Sequence, residues 1–418
     1  MPVTDICDRP GLLGIDVALN IAFATVAPIS GKETVSLGNC ARRITAEEIV
    51  SYMPLPPFDQ SAVDGYGIQR HDIRTGNTGP FRLAGMVVAG SHHAPVLAKG
   101  EVTRLLTGAA VPKGVGAVVM EEQATVQGTS VTIGKPAEAR LNIRRRGEDV
   151  GPRRVIVEGG TLIDARHVAI FAASGIAHIP VRRRINVAVL STGSELMRAG
   201  EALDRHQIYD SNGPMLGALF FSPALKLRML GRCPDDPRRL ARQIGRAARS
   251  FDLLVCSGGI SGSDADHIVT SVIAAGGRCD KVSLALKPGK PLAIGRVEEM
   301  AVLALPGNPV AALVGALLFA RPMLQRLAGQ VGSNQASILA RTASRLSHRL
   351  GRIEFVPVRV TGHDADGIPL LEKLGRASSA RLYPLVLADG LASVPAELDD
   401  LPAGAQIQYY PFRTAFTL

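Results

Sequence analysis

From Ile185 to about residue 330 the chain repeats one rhythm: a short apolar run, a glycine- and serine-rich turn, then a stretch with helical spacing. INVAVL and FDLLVC are continuous apolar runs of strand length, as expected for strands buried on both faces. STGSEL and SGGISGSDADH are the turns that follow them. SNGPMLGALFFSPAL, PDDPRRLARQIGRAARSF and the residues after His267 read as helices, with Asp235 or Asp236 at the start of the second and Pro237 in its first turn. The alternation predicts a doubly wound, mostly parallel α/β sheet. Elsewhere the pattern changes. Leu12, Val17 and Ile21 predict an amphipathic helix that ends before Pro28. Across 55–145, short β-branched runs such as FRLAGMVVAG, VTRLLTG, GAVVMEEQATVQ and SVTIG are punctuated by Gly and Pro, which predicts a β-rich module. TLIDARHVAIFAASGIAHIPV predicts a helix closing at Gly175 and a strand after it. RIEFVPVRV, GLASVPAEL and AQIQYYPF predict a small terminal β domain.

Two Pro-Gly turns, KPGKP and LPGNP, interrupt the apolar pattern near the end of the α/β region. Asn308 stands where a helix cap is needed and Pro309 at the first helical position, so LPGNP should present backbone N–H groups and the positive end of a helix dipole. KPGKP should bring Lys287 and Lys290 to the neighbouring rim, with Gly289 making the turn. Ligands of open α/β sheets bind where strands end. There Thr192 and Gly193, Ser257 to Gly259 with Ser261, and Pro306 to Pro309 would converge on a phosphate or another oxyanion. Each turn alone is ordinarily only a turn; three at successive strand ends, with lysines beside them, point to a site.

Length and charge narrow the reading. The 418 residues exceed one hydrophobic core and imply two to four domains. The formal charge of +10 favours anionic partners, while 4% aromatic content and no tryptophan leave few platforms for stacking nucleobases. Specific nucleic-acid binding is therefore not expected. The five cysteines include no CxxC pair, which reads as reduced thiols. No leader-like segment and no run of 18 apolar residues stands out. These features predict a soluble cytoplasmic protein with no membrane partner.

Against this basic background, carboxylates in glycine-rich turns stand out: Asp64, Glu148, Asp149, Glu195, Asp235, Asp236, Asp264 and Asp266. Hard oxygen ligands suit Mg²⁺, which takes few protein carboxylates and completes its shell with water and substrate phosphate. Ordinary roles compete: helix capping for Asp235, an ion pair with the RRR run for Asp149, a solvated turn for Asp264. Asp64 and Asp266 are hardest to explain structurally. The arginines of RRLARQIGRAAR read as a solvated face. The histidines lack HxxxH or HExxH spacing, which argues against a histidine-built metal site.

In order along the chain, LPPFDQSAVDGYG, LLTGAAVPKGVGAVVMEE, LNIRRRGEDV, STGSEL, QIYDSN, SGGISGSDAD, KPGKP and LPGNPVAAL resemble the motifs of the molybdopterin molybdenumtransferase family, the MoeA proteins and the carboxy-terminal domain of gephyrin. The resemblance implies insertion of molybdate into adenylylated molybdopterin with release of AMP, a divalent cation such as Mg²⁺, and a homodimer of four-domain subunits. Those domains would be an elongated α+β dimerisation domain of residues 1–50 and 146–183, a β-rich insertion of 51–145, the molybdopterin-binding α/β domain of 184–332 and a C-terminal barrel-like β domain of 333–418. Matched by motif, the functional residues fall on Asp64, Thr107, Asp149, Glu195, Asp235 and Asp266, with Lys287 and Lys290 as the lysines and Ser379 in the last domain. Glu195, Asp266 and Asp64 would organise the metal. The Asp64 loop would face the other subunit, and an adenylyltransferase and acceptor molybdoenzymes would be transient partners.

The chain departs from the family pattern. STGSEL carries Ser194 where aspartate is usual, SGGISGSDAD shifts a glycine, SAVDGYG replaces SAMDGYA, and GRASSAR stands for a Gly-Ser-Gly-type loop. A divergent paralogue of low activity, a scaffold of the same fold and a molybdopterin adenylyltransferase are the competing readings.

Overall fold

The apolar runs that open at Ile185 become the inner strands of a six-stranded sheet. The computed structural model describes residues 11–260, 267–332, 337–375 and 380–412. In spatial order the strands are Leu225–Cys233, Ile185–Thr192, Leu253–Ser257, Met300–Leu305, Pro291–Val297 and Arg278–Ser283. The first four are parallel, and Pro291–Val297 pairs antiparallel with both Met300–Leu305 and Arg278–Ser283. The antiparallel edge is a feature the apolar rhythm did not separate. Only Glu298 and Glu299 join Val297 to Met300, too short a link for the crossover a parallel pair requires.

Helices cover both faces. Ile15–Phe23, Asn212–Leu219 and the segment from Pro309 pack on one side against Val187, Leu253 and Leu303. Pro237–Ala248 and Ile268–Ala274 pack on the other against Leu254 and Val302. Because both faces are covered, these strands read as unbroken apolar runs. The stretch Pro309–Leu327 is long and apolar enough to cross a membrane, yet 67% of its most apolar window is buried inside the fold, as in a core helix. In Pro237–Ala248, Leu240 and Ile244 face the sheet while Arg238, Arg239, Arg242 and Arg246 are exposed, which is the expected solvated face. Its cap is Asp236, whose carboxylate accepts from the N–H groups of Arg238 at 2.9 Å and Arg239 at 3.0 Å. Asp235, a residue early enough, is thereby released from the capping role considered for it.

The C-terminal strands Ile338–Thr342, Ile353–His363, Pro369–Lys373, Gly390–Val394 and Gln406–Pro411 close on themselves. Ile353–His363 pairs with both Pro369–Lys373 and Gly390–Val394, which completes a five-stranded barrel around Val356, Val358, Leu371 and Ile407. A short strand, Leu286–Lys287, leaves the α/β region and pairs in parallel with Ile353–Glu354. That pairing stitches KPGKP to the barrel wall.

The N-terminal half contains a second six-stranded sheet, ordered Val115–Met120, Gly65–Gln69, Glu101–Leu105, Phe81–Val87, Ser130–Ile133 and Ala124–Gln127. Its chain enters and leaves through short antiparallel pairs, Gln60–Ser61 with Ile143–Arg144 and Ile49–Ser51 with Arg154–Val157. Lys32–Ser36 pairs with His178–Arg182 beside the helix Ala165–Ala173. Asp164 caps that helix in a reciprocal box with His167, and Phe171 anchors it in a small core with Ile163 and Ile179.

Candidate functional site

The strand-end turns converge as the sequence suggests, but most of them serve as scaffold. Gly258 follows the strand Leu253–Ser257 with φ +96°, and a Cβ there would lie 2.4 Å from the Thr192 carbonyl oxygen. Only glycine permits this approach of the STG and SGG turns. Thr192 Oγ1 donates to the Ser257 carbonyl at 3.3 Å. Asn212 Nδ2 donates to Ser257 Oγ at 2.8 Å and to the Gly307 carbonyl at 2.7 Å, which ties the LPGNP turn to the same nest. Thr192, Ser257 and Asn212 are buried, and Gly259 packs over Thr192. Ser191 Oγ and Asn212 Oδ1 are buried beneath these turns without a hydrogen-bond partner among the described residues. Asn308 occupies the cap position before Pro309–Gly315, but its side chain makes no capping hydrogen bond, contrary to the expectation for it.

Above this nest, between the α/β sheet and the barrel, opens a cavity of about 630 Å³. Glu195, Lys287, Gly289, Lys290, Pro306, Gly307 and Asn308 line it from the α/β side, and Arg352, Glu354, Lys373 and Arg381 from the barrel side. Five of the lining side chains are cationic and two are acidic. This balance matches a multiply charged anion such as a diphosphate or oxyanion. Glu195 reaches the rim because Gly193 lacks a side chain: a Cβ there would lie 2.6 Å from Glu195 Oε2. Ser194 and Asp235 grip each other reciprocally, with Ser194 N–H donating to Asp235 Oδ2 and Asp235 N–H to Ser194 Oγ, each at 3.0 Å. Asp235 is therefore a brace for the turn carrying Glu195. Lys287 is not an unopposed cation, since its ammonium pairs with Glu354 at 3.0 Å.

Arg352, Glu354, Lys373 and Arg381 were missed in the sequence. The available signal was a glutamate inside the apolar strand run RIEFVPV, which demands a buried partner. Asp266, Ser261 and Ser379 lie outside the described residues. Among the described residues, no group of three or more His, Cys, Asp or Glu gathers into a metal-binding cluster. Cys40, Cys233, Cys256 and Cys279 are free and buried, and burial pushes the Cys279 thiol up to about 12.

Asp64 and Thr107 form a separate constellation. Gly65↔Leu105 pairing brings the two strand ends together. Asp64 Oδ1 accepts from both the N–H and the hydroxyl of Thr107, each at 2.7 Å. These two hydrogen bonds hold the exposed Asp64 carboxyl below its ordinary range. Gly65 is required there, because a Cβ would lie 2.1 Å from the Val119 carbonyl oxygen. The loop with Asp149 is laced to the segment leading into Asp64: Asp149 N–H donates to the Leu55 carbonyl and Arg146 N–H to Asp59 Oδ1. Glu148, not Asp149, takes the ion pair with the arginine run, at 3.6 Å from Arg144. Asp149 is left exposed. None of Asp64, Thr107 and Asp149 lines the cationic cavity.

A doubly wound sheet whose strand-end turns open onto a cationic seam, with a barrel as the other wall, defines a multidomain α/β protein with an anion-receptive site. Three family models match in order: the MoeA N-terminal region (domain I and II) over residues 13–175, the probable molybdopterin binding domain over 188–326, and the MoeA C-terminal region (domain IV) over 339–412. A molybdopterin molybdenumtransferase of Haemophilus influenzae is 34% identical over 325 residues, covering 77% of this chain and 80% of its own. Molybdopterin molybdenumtransferase 2 of Mycobacterium tuberculosis is 31% identical over 385 residues, covering 90% and 94%. The crystal structure of a molybdopterin biosynthesis MoeA protein from Pyrococcus horikoshii OT3 superposes with a TM-score of 0.79 at 25% identity, covering 96% of this chain and 100% of that one. The chain belongs to the MoeA family of molybdenum cofactor biosynthesis, the molybdopterin molybdenumtransferases.

Proposed function

We propose that the protein inserts molybdate into adenylylated molybdopterin and releases AMP, and that the seam cavity binds the anionic groups of both substrates. The observation that carries this reading is the cavity itself, with Lys287, Lys290, Arg352, Lys373 and Arg381 around one space beside Glu195. Lysine and arginine groups held in place before the substrate arrives stabilise developing phosphate charge without reorganisation. Thr192, Gly193, Ser257, Gly258 and Gly259 fix the turns that shape the floor, and Gly307, Asn308 and Pro309 begin the helix beneath it. Ser261 and Ser379 would contribute to the same site.

Mg²⁺ suits the chemistry of the rim, where the Glu195 carboxylate is a hard oxygen donor beside space for substrate oxygens. Glu195 would hold the ion together with those oxygens and Asp266, and when bound the ion supplies charge neutralisation of the diphosphate. Glu195 itself is oriented by the Ser194–Asp235 brace. Asp64, Thr107 and Asp149 would complete the site from the other subunit of a homodimer, since they lie outside the cavity of their own chain. On this reading dimerisation would fall to residues 1–50 and 146–183, the β-rich insertion to 51–145 and the substrate cavity to the junction of 184–332 with 333–418, and the reaction would run in the cytoplasm. Transient contacts with an adenylyltransferase and with acceptor molybdoenzymes would pass the substrate in and the product out.

The test is AMP formation from adenylylated molybdopterin, with and without Mg²⁺ and molybdate. AMP release that requires both supports the reading. Turnover of molybdopterin with ATP instead would assign an adenylyltransferase, and no turnover with either pair would leave a scaffold or a low-activity paralogue.

A further inference from the structure

Glu354 is a carboxylate placed where a barrel would ordinarily have an apolar side chain. It sits on the strand Ile353–His363 between Ile353 and Phe355, and its side chain is only 2% exposed. Lys287 Nζ lies 3.0 Å from Oε1, Lys373 Nζ lies 3.9 Å from the same oxygen, and His348 Nδ1 lies 2.9 Å from Oε2. His348 is itself buried, with a side chain 1% exposed, and its backbone N–H is held by Asp400 at 2.9 Å. Burial pushes the Glu354 carboxyl up, but the hydrogen bonds from His348 and Lys287 outweigh it and hold the group below the ordinary carboxylate range. Apolar replacements of such buried charge networks are often neutral or stabilising, so stability alone does not account for this one. The network also spans the seam. Lys287 and Glu354 are direct partners in the strand pairing that joins the two walls, and Ile353 N–H donates to the Ala285 carbonyl at 2.9 Å.

We propose that Glu354, backed by His348, is a positioning residue that fixes the Lys287 ammonium at the anion site across the seam between sheet and barrel. The proposal rests on the reading of the cavity as the substrate site. An ammonium on a four-carbon stem samples many rotamers unless it is tethered. Glu354 supplies the tether from a rigid strand, and it removes one charge from the cationic lining. The two effects act in opposite directions on binding and on turnover, which makes them separable.

Glu354→Gln keeps the shape and removes the charge. Inorganic molybdate, titrated by calorimetry, should bind as tightly as to wild type or up to about fivefold tighter, because the cavity gains net positive charge. Turnover, read as AMP release, should fall about tenfold, because Lys287 is no longer held. In a Lys287→Ala background the same substitution should change kcat less than twofold, since the ammonium that Glu354 places is gone and Lys373, at 3.9 Å, is held only loosely by the carboxylate. His348→Asn, which leaves the carboxylate in place, should give a smaller loss that also vanishes in that background. An equal fall of kcat with and without Lys287, or wild-type kcat in Glu354→Gln, would overturn the proposal while leaving the cavity reading intact. Failure of wild type to bind molybdate or to release AMP would overturn both. If Glu354→Gln does not fold, the His348→Asn pair decides by the same coupling criterion.

Discussion

The seam cavity and the Asp64 loop carry the same kinds of residue under opposite physical conditions. At the seam, charged groups are set on buried supports: Glu354 and His348 are almost fully enclosed, and Asn212 and Ser257 lock the turns below. In the Asp64 loop, the carboxylates are exposed, and among the described residues the Asp64 side chain is hydrogen-bonded to Thr107 alone. On the proposed reading, a group that acts in a water-excluded site but stands in solvent in its own chain is half of a site. The comparison teaches that the seam is preorganised within one chain, whereas the proposed dimer would have to bring a surface to the loop.

The strongest way to break this comparison is to remove one group from each region. Lys287→Ala and Asp64→Ala should each lower kcat by about 10²–10³. The exposed Asp64 can be removed with the thermal unfolding midpoint unchanged, whereas Lys287→Ala lowers it because the buried Glu354 loses a partner. Wild-type turnover in either variant would remove that region from the chemistry. Mixing the two inactive variants tests whether the halves meet. Random exchange of subunits makes half the dimers mixed, each with one intact site, so activity should return to about a quarter of wild type. No recovery, despite demonstrated subunit exchange, would mean that each chain works alone.

A smaller effect is expected at Thr107. Its N–H and hydroxyl lower the Asp64 pKa, so in wild type Asp64 stays ionised to lower pH than an ordinary carboxylate. Thr107→Val removes the hydroxyl bond and raises that pKa. The acid limb of the pH–rate profile should then move to higher pH, with kcat reduced about tenfold at neutral pH. An unmoved limb would dissociate Thr107 from the ionisation of Asp64. The smallest effect belongs to a residue in neither region. Asp236→Ala removes a helix cap and should lower the midpoint by a few degrees without changing kcat. The Asp236 pKa is lowered by the capping N–H groups of Arg239 and Arg238, so this stability difference is present at neutral pH and disappears as the pH falls through the folded-state value.

Much of this was legible in the chain because it depends on local chemistry. Continuous apolar runs specify strands buried on both faces, and Gly258 in SGGIS and Gly65 in DGYG mark places where backbones must touch. STG, SGG and LPGNP were correctly read as converging, since the carboxyl ends of parallel strands must share one edge. PDDP offers two aspartates, so the sequence leaves the cap open between Asp235 and Asp236; the folded helix start takes Asp236, whose carboxylate accepts from Arg238 and Arg239. The position of Asn308 predicts a side-chain cap, but the hydrogen bond from Asn212 to the Gly307 carbonyl defines that turn instead.

The sequence by itself determined the strand rhythm, the turns that need glycine and the sign of the charge at the sheet edge, because these follow from the sterics and polarity of neighbouring residues. Tertiary structure alone decided that Glu354 and His348 sit behind Lys287, and that Asp64 stands apart from Glu195. Those relations span 67 and 131 positions along the chain (354 − 287 and 195 − 64). Contacts at such separations are set by how sheet and barrel pack, which no local pattern encodes.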